Sequence, residues 1–146
     1  MLSILLPVYN CNCVALVTEL QRQCTECGTD FEIIVADDCS SVASYIEHNL
    51  RIERLDGVRY ITRKQNVGRS AIRNFLISQA QGEWLLFIDG DLTLDNPHFI
   101  RRYLQTKSNV VVGGIRIGGD PDRWKNNLRY RYEKAYEQKN TPQDRQ

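Results

Sequence analysis

LSILLPVYN, residues 2–10, runs almost without interruption in leucine, isoleucine and valine and then turns polar at Tyr9 and Asn10. A short, continuous apolar run of this kind marks a strand buried on both faces, and that burial requires helices above and below a parallel sheet. The pattern recurs at Glu32 to Ala36, Val58 to Ile61, Trp84 to Ile88 and Val110 to Ile115. Helical patterns lie between and after these runs, at Val14 to Glu26, Val42 to Arg54, Gly68 to Ala80 and Pro97 to Thr106. Strand and helix alternating through short connections read as an α/β chain, with a mostly parallel, Rossmann-like sheet carrying helices on both faces.

The 146 residues suit one domain. A formal net charge of +1 gives no global field that would draw in nucleic acid, so an anionic ligand has to be captured locally. No apolar run approaches the roughly 20 residues that cross a bilayer, and the opening segment lacks a basic region, so the expected location is the cytoplasm. The five cysteines are an odd number in a chain of this size and read as reduced thiols. Cys11-x-Cys13 and Cys24-x-x-Cys27 have spacings a zinc ion accepts, but no second such pair or histidine pair follows, and packing is the better account. His48 and His98 stand alone.

After Gly118 and Gly119 a last helical segment is expected from Asp122 to Gln138, with Trp124, Leu128, Tyr132 and Tyr136 recurring along one face. Arg123, Lys125, Arg129, Arg131, Lys134 and Lys139 form a basic stripe on the remainder, read mainly as a solvated face and secondarily as a contact with phosphates or the inner face of a membrane. Domain bounds of 1–119 and 120–146 follow, the second being an amphipathic connecting helix and a polar tail. The apolar stripe needs a cover, and a second copy of the chain is one candidate.

In an open parallel sheet, ligands bind beyond the carboxyl ends of the strands. Here those ends are polar: Pro7-Val8-Tyr9-Asn10, Asp37-Asp38-Cys39-Ser40, Asn66-Val67-Gly68-Arg69 and Asp89-Gly90-Asp91. Asp89 and Asp91, two apart in a chain leaving a strand, can point to one side and share a hard cation, Mg²⁺ or Mn²⁺, with phosphate oxygens. Gly90 between them lets the backbone turn and a ligand approach. Asp37 and Asp38 are adjacent and face opposite ways, so one is free to read a nucleoside while the other, beside Ser40 and Ser41, caps the next helix. Gly68 opens a helix whose amino terminus offers N–H groups to an anion. Arg69 and Arg73 share that helix's face, either to neutralise a diphosphate or to pair with nearby aspartates.

In order and spacing, LSILLPVYN at 2–10, IIVADDCSS at 33–41, NVGRSAIRN at 66–74 and GEWLLFIDGDL at 82–92 resemble the inverting family 2 of glycosyltransferases, in the nucleotide-sugar-binding half of its GT-A fold. The resemblance implies that Pro7, Val8 and Tyr9 run beneath the nucleobase, that Asp38 hydrogen-bonds it, and that Arg73 approaches the nucleotide. It also implies that Asp91 binds the metal, with Asp89 nearer the ribose or donor sugar, and that Gly68 and Gly90 border the same ligand. The donor would be a nucleoside-diphosphate sugar of the UDP type, and the acceptor a saccharide or lipid-linked glycan attacking with inversion. The family's general base lies downstream of the D-x-D. Asp95, Asp120, Asp122, Glu133, Glu137 and Asp144 do not match its motif, so the chain is expected to stop short of the acceptor-binding half.

Two other readings compete. FIDGDLTL also resembles the phosphatase motif of the haloacid dehalogenase superfamily, in which Asp89 would be a nucleophile. A module that binds a nucleotide-sugar without chemistry would equally lack the base.

Overall fold

The computed structural model describes residues 1–106, 108–111, 121–132, 134 and 135. It divides into two compact units, Met1–Gln105 and Thr106–Gln146. The first holds β1 (Leu2–Val8), α1 (Val14–Cys27), β2 (Phe31–Asp37), α2 (Ala43–Asn49), β3 (Val58–Thr62), α3 (Arg69–Gln79), β4 (Trp84–Phe87) and α4 (Phe99–Gln105). A 3₁₀ turn at Leu50–Arg54 follows α2, where a single helix through Arg54 was expected. Val110 and Val111 are not in a strand, and the remainder of that strand candidate lies outside the described residues.

The four strands are all parallel, in the order β3-β2-β1-β4. Alternation along β1 sorts the core into two layers. Ile4, Leu6 and Val8 pack with Ile33 and Val35 against Leu16, Val17 and Leu20 of α1, Ile52 of the 3₁₀ turn and Ile100 of α4. Leu5 turns the other way, with Ile34 and Ala36, onto Ile72 and Leu76 of α3. Helices therefore cover both faces of β1 and β2, which explains why the middles of those two strands carry no polar alternation.

Pro7 lies within β1, a strand with neighbours on both sides, where a missing N–H would ordinarily break a ladder. β4 pairs with β1 only as far as Leu5 opposite Phe87, and the Ile88 N–H then donates to the Leu5 carbonyl at 3.1 Å. Pro7, two residues on, faces the side that β4 has already left. The missing donor costs nothing there, and β1 and β4 part. Sequence order runs outward from β1 through β2 to β3 and then returns to β4 on the other flank, so this parting is also the sheet's switch point.

Cys13 and Cys24 are fully buried in the larger core layer, and burial pushes both thiols up to about 12 from an ordinary value of 9.0. Their neutral form is the one that packs. Above pH 9 an unfolded thiol loses its proton while a folded one keeps it, so stability is whole below pH 9 and drains as pH rises toward 12. Urea midpoints measured from pH 8 to 11 are expected to fall, and Cys24→Ala should flatten the fall.

In the second unit, α5 (Pro121–Trp124) and α6 (Leu128–Tyr132) replace the single helix expected from Asp122 to Gln138. The chain turns at Lys125 and Asn126, and the Asn127 side chain accepts the Tyr130 N–H at 3.1 Å, capping α6. Trp124 thus sits on a different helix from Leu128 and Tyr132, and neither the apolar nor the basic stripe is continuous. Gly118, Gly119, Tyr136 and the tail lie outside the described residues. No helix among the described residues is long and apolar enough to cross a membrane.

Candidate functional site

Where β1 and β4 separate, a cleft of about 500 Å³ opens at the carboxyl edge of the sheet. Pro7, Val8 and Tyr9 form its floor, Asp38 and Gly68 one wall, and Asp89, Gly90 and Asp91 the other. Arg73 reaches in from α3 through its ion pair with Asp89. Every site residue expected from the sequence is therefore gathered in one place. Asn10, Cys11, Asn66, Arg69 and Ile72 complete the lining.

The two adjacent aspartates have parted roles. Asp37 is fully buried: one oxygen accepts the Ser40 N–H and the other the Tyr60 hydroxyl, both at 2.6 Å. Burial, then this carboxylate, raise the Tyr60 phenol well above its ordinary value, so it stays a donor. Neither aspartate caps α2, whose cap residue Val42 carries no side-chain bond. Asp38 is 4% exposed and accepts the Val67 and Gly68 N–H groups at 2.9 Å each, one on each oxygen. A carboxylate has about four acceptor positions, so Asp38 keeps capacity for a donor from the cleft.

Those same two bonds bear on the anion site expected at the start of α3, without reaching the Arg69 and Ser70 N–H groups that open the helix. The Val67 and Gly68 N–H groups are taken by Asp38, whose negative charge already sits at the positive end of the helix dipole. Gly68 stands at φ 84°, a conformation that favours glycine, and this lets both amides turn toward Asp38.

Opposite, Asp89 is held by two guanidinium groups, Arg73 closely and Arg69 at 3.4 Å, so the arginines pair with an aspartate in this state. Asp91 is exposed and has no hydrogen-bond or ion-pair partner among the described residues. The D-x-D therefore presents one engaged and one unengaged carboxylate. Gly90 has a different reason from the one expected: its φ is not positive, but a Cβ there would lie 2.6 Å from a Val8 methyl and 3.1 Å from the Pro7 carbonyl. It is needed for β4's exit to pass close over β1.

Cys11 lines the cleft, and burial raises its thiol. Among the described residues no three acidic, histidine or cysteine side chains cluster as a metal cage. A Mg²⁺ or Mn²⁺ ion, however, is commonly held by one or two carboxylates together with substrate phosphates, and the unengaged Asp91 oxygens fit that role.

A family model described as Glycosyl transferase family 2 matches residues 3–146. The chain is 33% identical over 126 residues to the poly(ribitol-phosphate) beta-glucosyltransferase of Bacillus spizizenii, covering 79% of this chain and 19% of that one. It resembles the solved structure of Staphylococcus aureus TarS in complex with UDP-GlcNAc, with a TM-score of 0.58 and 26% identity over 70% of this chain and 30% of that one. It also shares its fold with a mannosyltransferase of Pyrobaculum calidifontis in complex with GDP-Man and Mn²⁺, at TM-score 0.54 and 17% identity over 86% of this chain and 37% of that one. The α/β sheet of GT-A type expected from the sequence is the fold these structures have in common. The chain spans less than half the length of the curated relatives it matches.

Proposed function

Since the chain belongs to glycosyl transferase family 2, we propose that it carries the donor site of a glycosyltransferase, binding a nucleoside-diphosphate sugar, UDP-linked by preference, in the cleft between β1 and β4. The observation that carries this reading is the division of labour across the cleft. One wall offers Asp38, a buried carboxylate with acceptor capacity left, and the other offers two arginines and Asp91, which has no partner among the described residues. A nucleoside diphosphate needs both features: a hydrogen-bond acceptor for the base and cationic capture for the phosphates. The likeness to TarS in complex with UDP-GlcNAc supports the choice of uracil.

In this scheme Tyr9, 52% exposed over the floor, supplies a ring for the base to lie on. Asp38 accepts the imide N–H of uracil. Asp91, assisted by Asp89, would hold Mg²⁺ or Mn²⁺, which when bound supplies charge to stabilise the departing diphosphate. Arg69 and Arg73 exchange Asp89 for phosphate oxygens, a change of partner that keeps every charge paired. The sugar would then lie at the mouth of the cleft, where an acceptor hydroxyl of a saccharide or lipid-linked glycan would attack. No residue of the chain is assigned as the general base; Asp120, Glu133, Glu137 and Asp144 lie outside the described residues.

Calorimetric titration with UDP in Mn²⁺ and again in EDTA tests the proposal. Binding in Mn²⁺ that weakens at least tenfold in EDTA is expected. Equal affinity in the two buffers would remove the metal from the scheme, and no binding in either would remove the donor site.

A further inference from the structure

We propose that Asn10 is a positioning residue of this cleft: through the loop Ser40–Val42 it sets where Asp38 stands, and so governs nucleotide affinity without contacting the base. The inference rests on the donor-site reading above.

Asn10 is in the left-handed region at φ 50°, and among the described residues it shares that distinction, for non-glycines, with Cys39 at φ 64° alone. The two turns face each other. The Asn10 N–H donates to the Ser40 hydroxyl at 2.8 Å, and its side-chain oxygen accepts the N–H groups of Ser41 at 2.8 Å and Val42 at 3.1 Å. Its amide nitrogen donates to the Ser41 hydroxyl at 3.1 Å. Every one of these bonds goes to the chain immediately beyond Asp38.

Asp38 is otherwise held by its own N–H on the Val8 carbonyl at 2.8 Å and by its carboxylate on the Val67 and Gly68 amides. The next residue, Cys39, adopts a conformation that costs a non-glycine residue and persists only where neighbours over-determine it. Asp37 holds Ser40 from within the core, and Asn10 holds Ser40, Ser41 and Val42 from the cleft side. Asn10 also lines the cleft beside Tyr9, so one residue ties the β1 end, where the base is to lie, to the β2 end that is to read it. Asparagine suits the place because it tolerates the left-handed conformation and carries both an acceptor and a donor.

A double-mutant cycle with UDP and Mn²⁺ by calorimetry tests this role, with melting temperatures recorded alongside. Asn10→Gly keeps the backbone conformation and removes the side-chain bonds to Ser41 and Val42; a loss of about tenfold in UDP affinity is expected. Asn10→Asp keeps the oxygen that serves Ser41 and Val42 but adds a negative charge to the cleft, so it is scored with uridine, which has no phosphate, and a smaller loss than that of Asn10→Gly is expected. In an Asp38→Asn background, Asn10→Gly should cost less than about twofold more, the margin within which independent sites add. Equal losses in the two backgrounds, or no rescue by Asn10→Asp, would overturn the role of Asn10 while leaving the donor site in place. A wild-type protein that fails to bind UDP at all would overturn both.

Discussion

Asp91→Asn is expected to remove the metal-dependent part of UDP binding, lowering affinity in Mn²⁺ by about 100-fold, or about 2.7 kcal/mol, to the level seen in EDTA. Among the described residues Asp91 is the carboxylate of the D-x-D without a hydrogen-bond or ion-pair partner. Asparagine has the same shape and nearly the same volume. The loss would thus report the missing charge and not a rearranged loop. Asp89→Asn offers the contrast, because it frees Arg73 and Arg69 for phosphate even as it removes an oxygen, and the two effects oppose one another. A milder loss is expected for it. Affinity for uridine, which has no phosphate, should be the same in Asp91→Asn as in the wild type; a fall there would mean that Asp91 shapes the cleft, and the metal role would be withdrawn.

The second expectation separates two neighbours. Asp38→Ala is expected to weaken uridine binding by about 10- to 100-fold, the range for losing a hydrogen bond to a charged acceptor. Asp37→Ala should instead cost about 3 kcal/mol of stability, since it leaves the Tyr60 hydroxyl and the Ser40 N–H without an acceptor in a fully buried place. For a chain of this size that is a fall in melting temperature of about 10 °C. Uridine titration and thermal melts on both variants check the assignment. The reverse pattern, with Asp37→Ala losing nucleoside at unchanged melting temperature, would transfer base reading to Asp37.

That pair also shows where sequence reasoning stops. The run Phe31–Asp37 could be read as a strand because a strand covered on both faces is largely apolar, and β1 is legible for the same reason; β3 and β4 fall within a residue or so of their expected bounds as short runs of aliphatic and aromatic side chains, although Trp84, Leu85 and Phe87 of β4 are exposed. The alternation rule states that Asp37 and Asp38 face opposite ways, but not which way is inward. That depends on Tyr60, a partner 23 residues downstream. Asn10 gave no signal either, since its bonds span about 30 residues and a single asparagine after a strand reads as a turn. The last helix failed for a local reason: Asn127 competes as a cap within an otherwise regular apolar repeat. The expected site residues converge because most lie at or just beyond the carboxyl ends of strands, which a parallel sheet brings to one edge, while Arg73 arrives from α3.

The strand order has a consequence for how the protein is made. β1 is synthesised before the other three strands yet occupies an interior position, and one flank is covered by β2 while the other waits for β4. About 50 residues separate the end of β2 from the end of β4, which at about 5–20 residues per second is an interval of several seconds on the ribosome. Through that interval the nascent chain presents an unpaired edge reading Leu2-Ser3-Ile4-Leu5, an invitation to pair with another chain. Pro7 closes the far end of that edge to such pairing from the moment it emerges, so the residue that lets the cleft open in the finished fold also shortens the surface a misfolding partner could use.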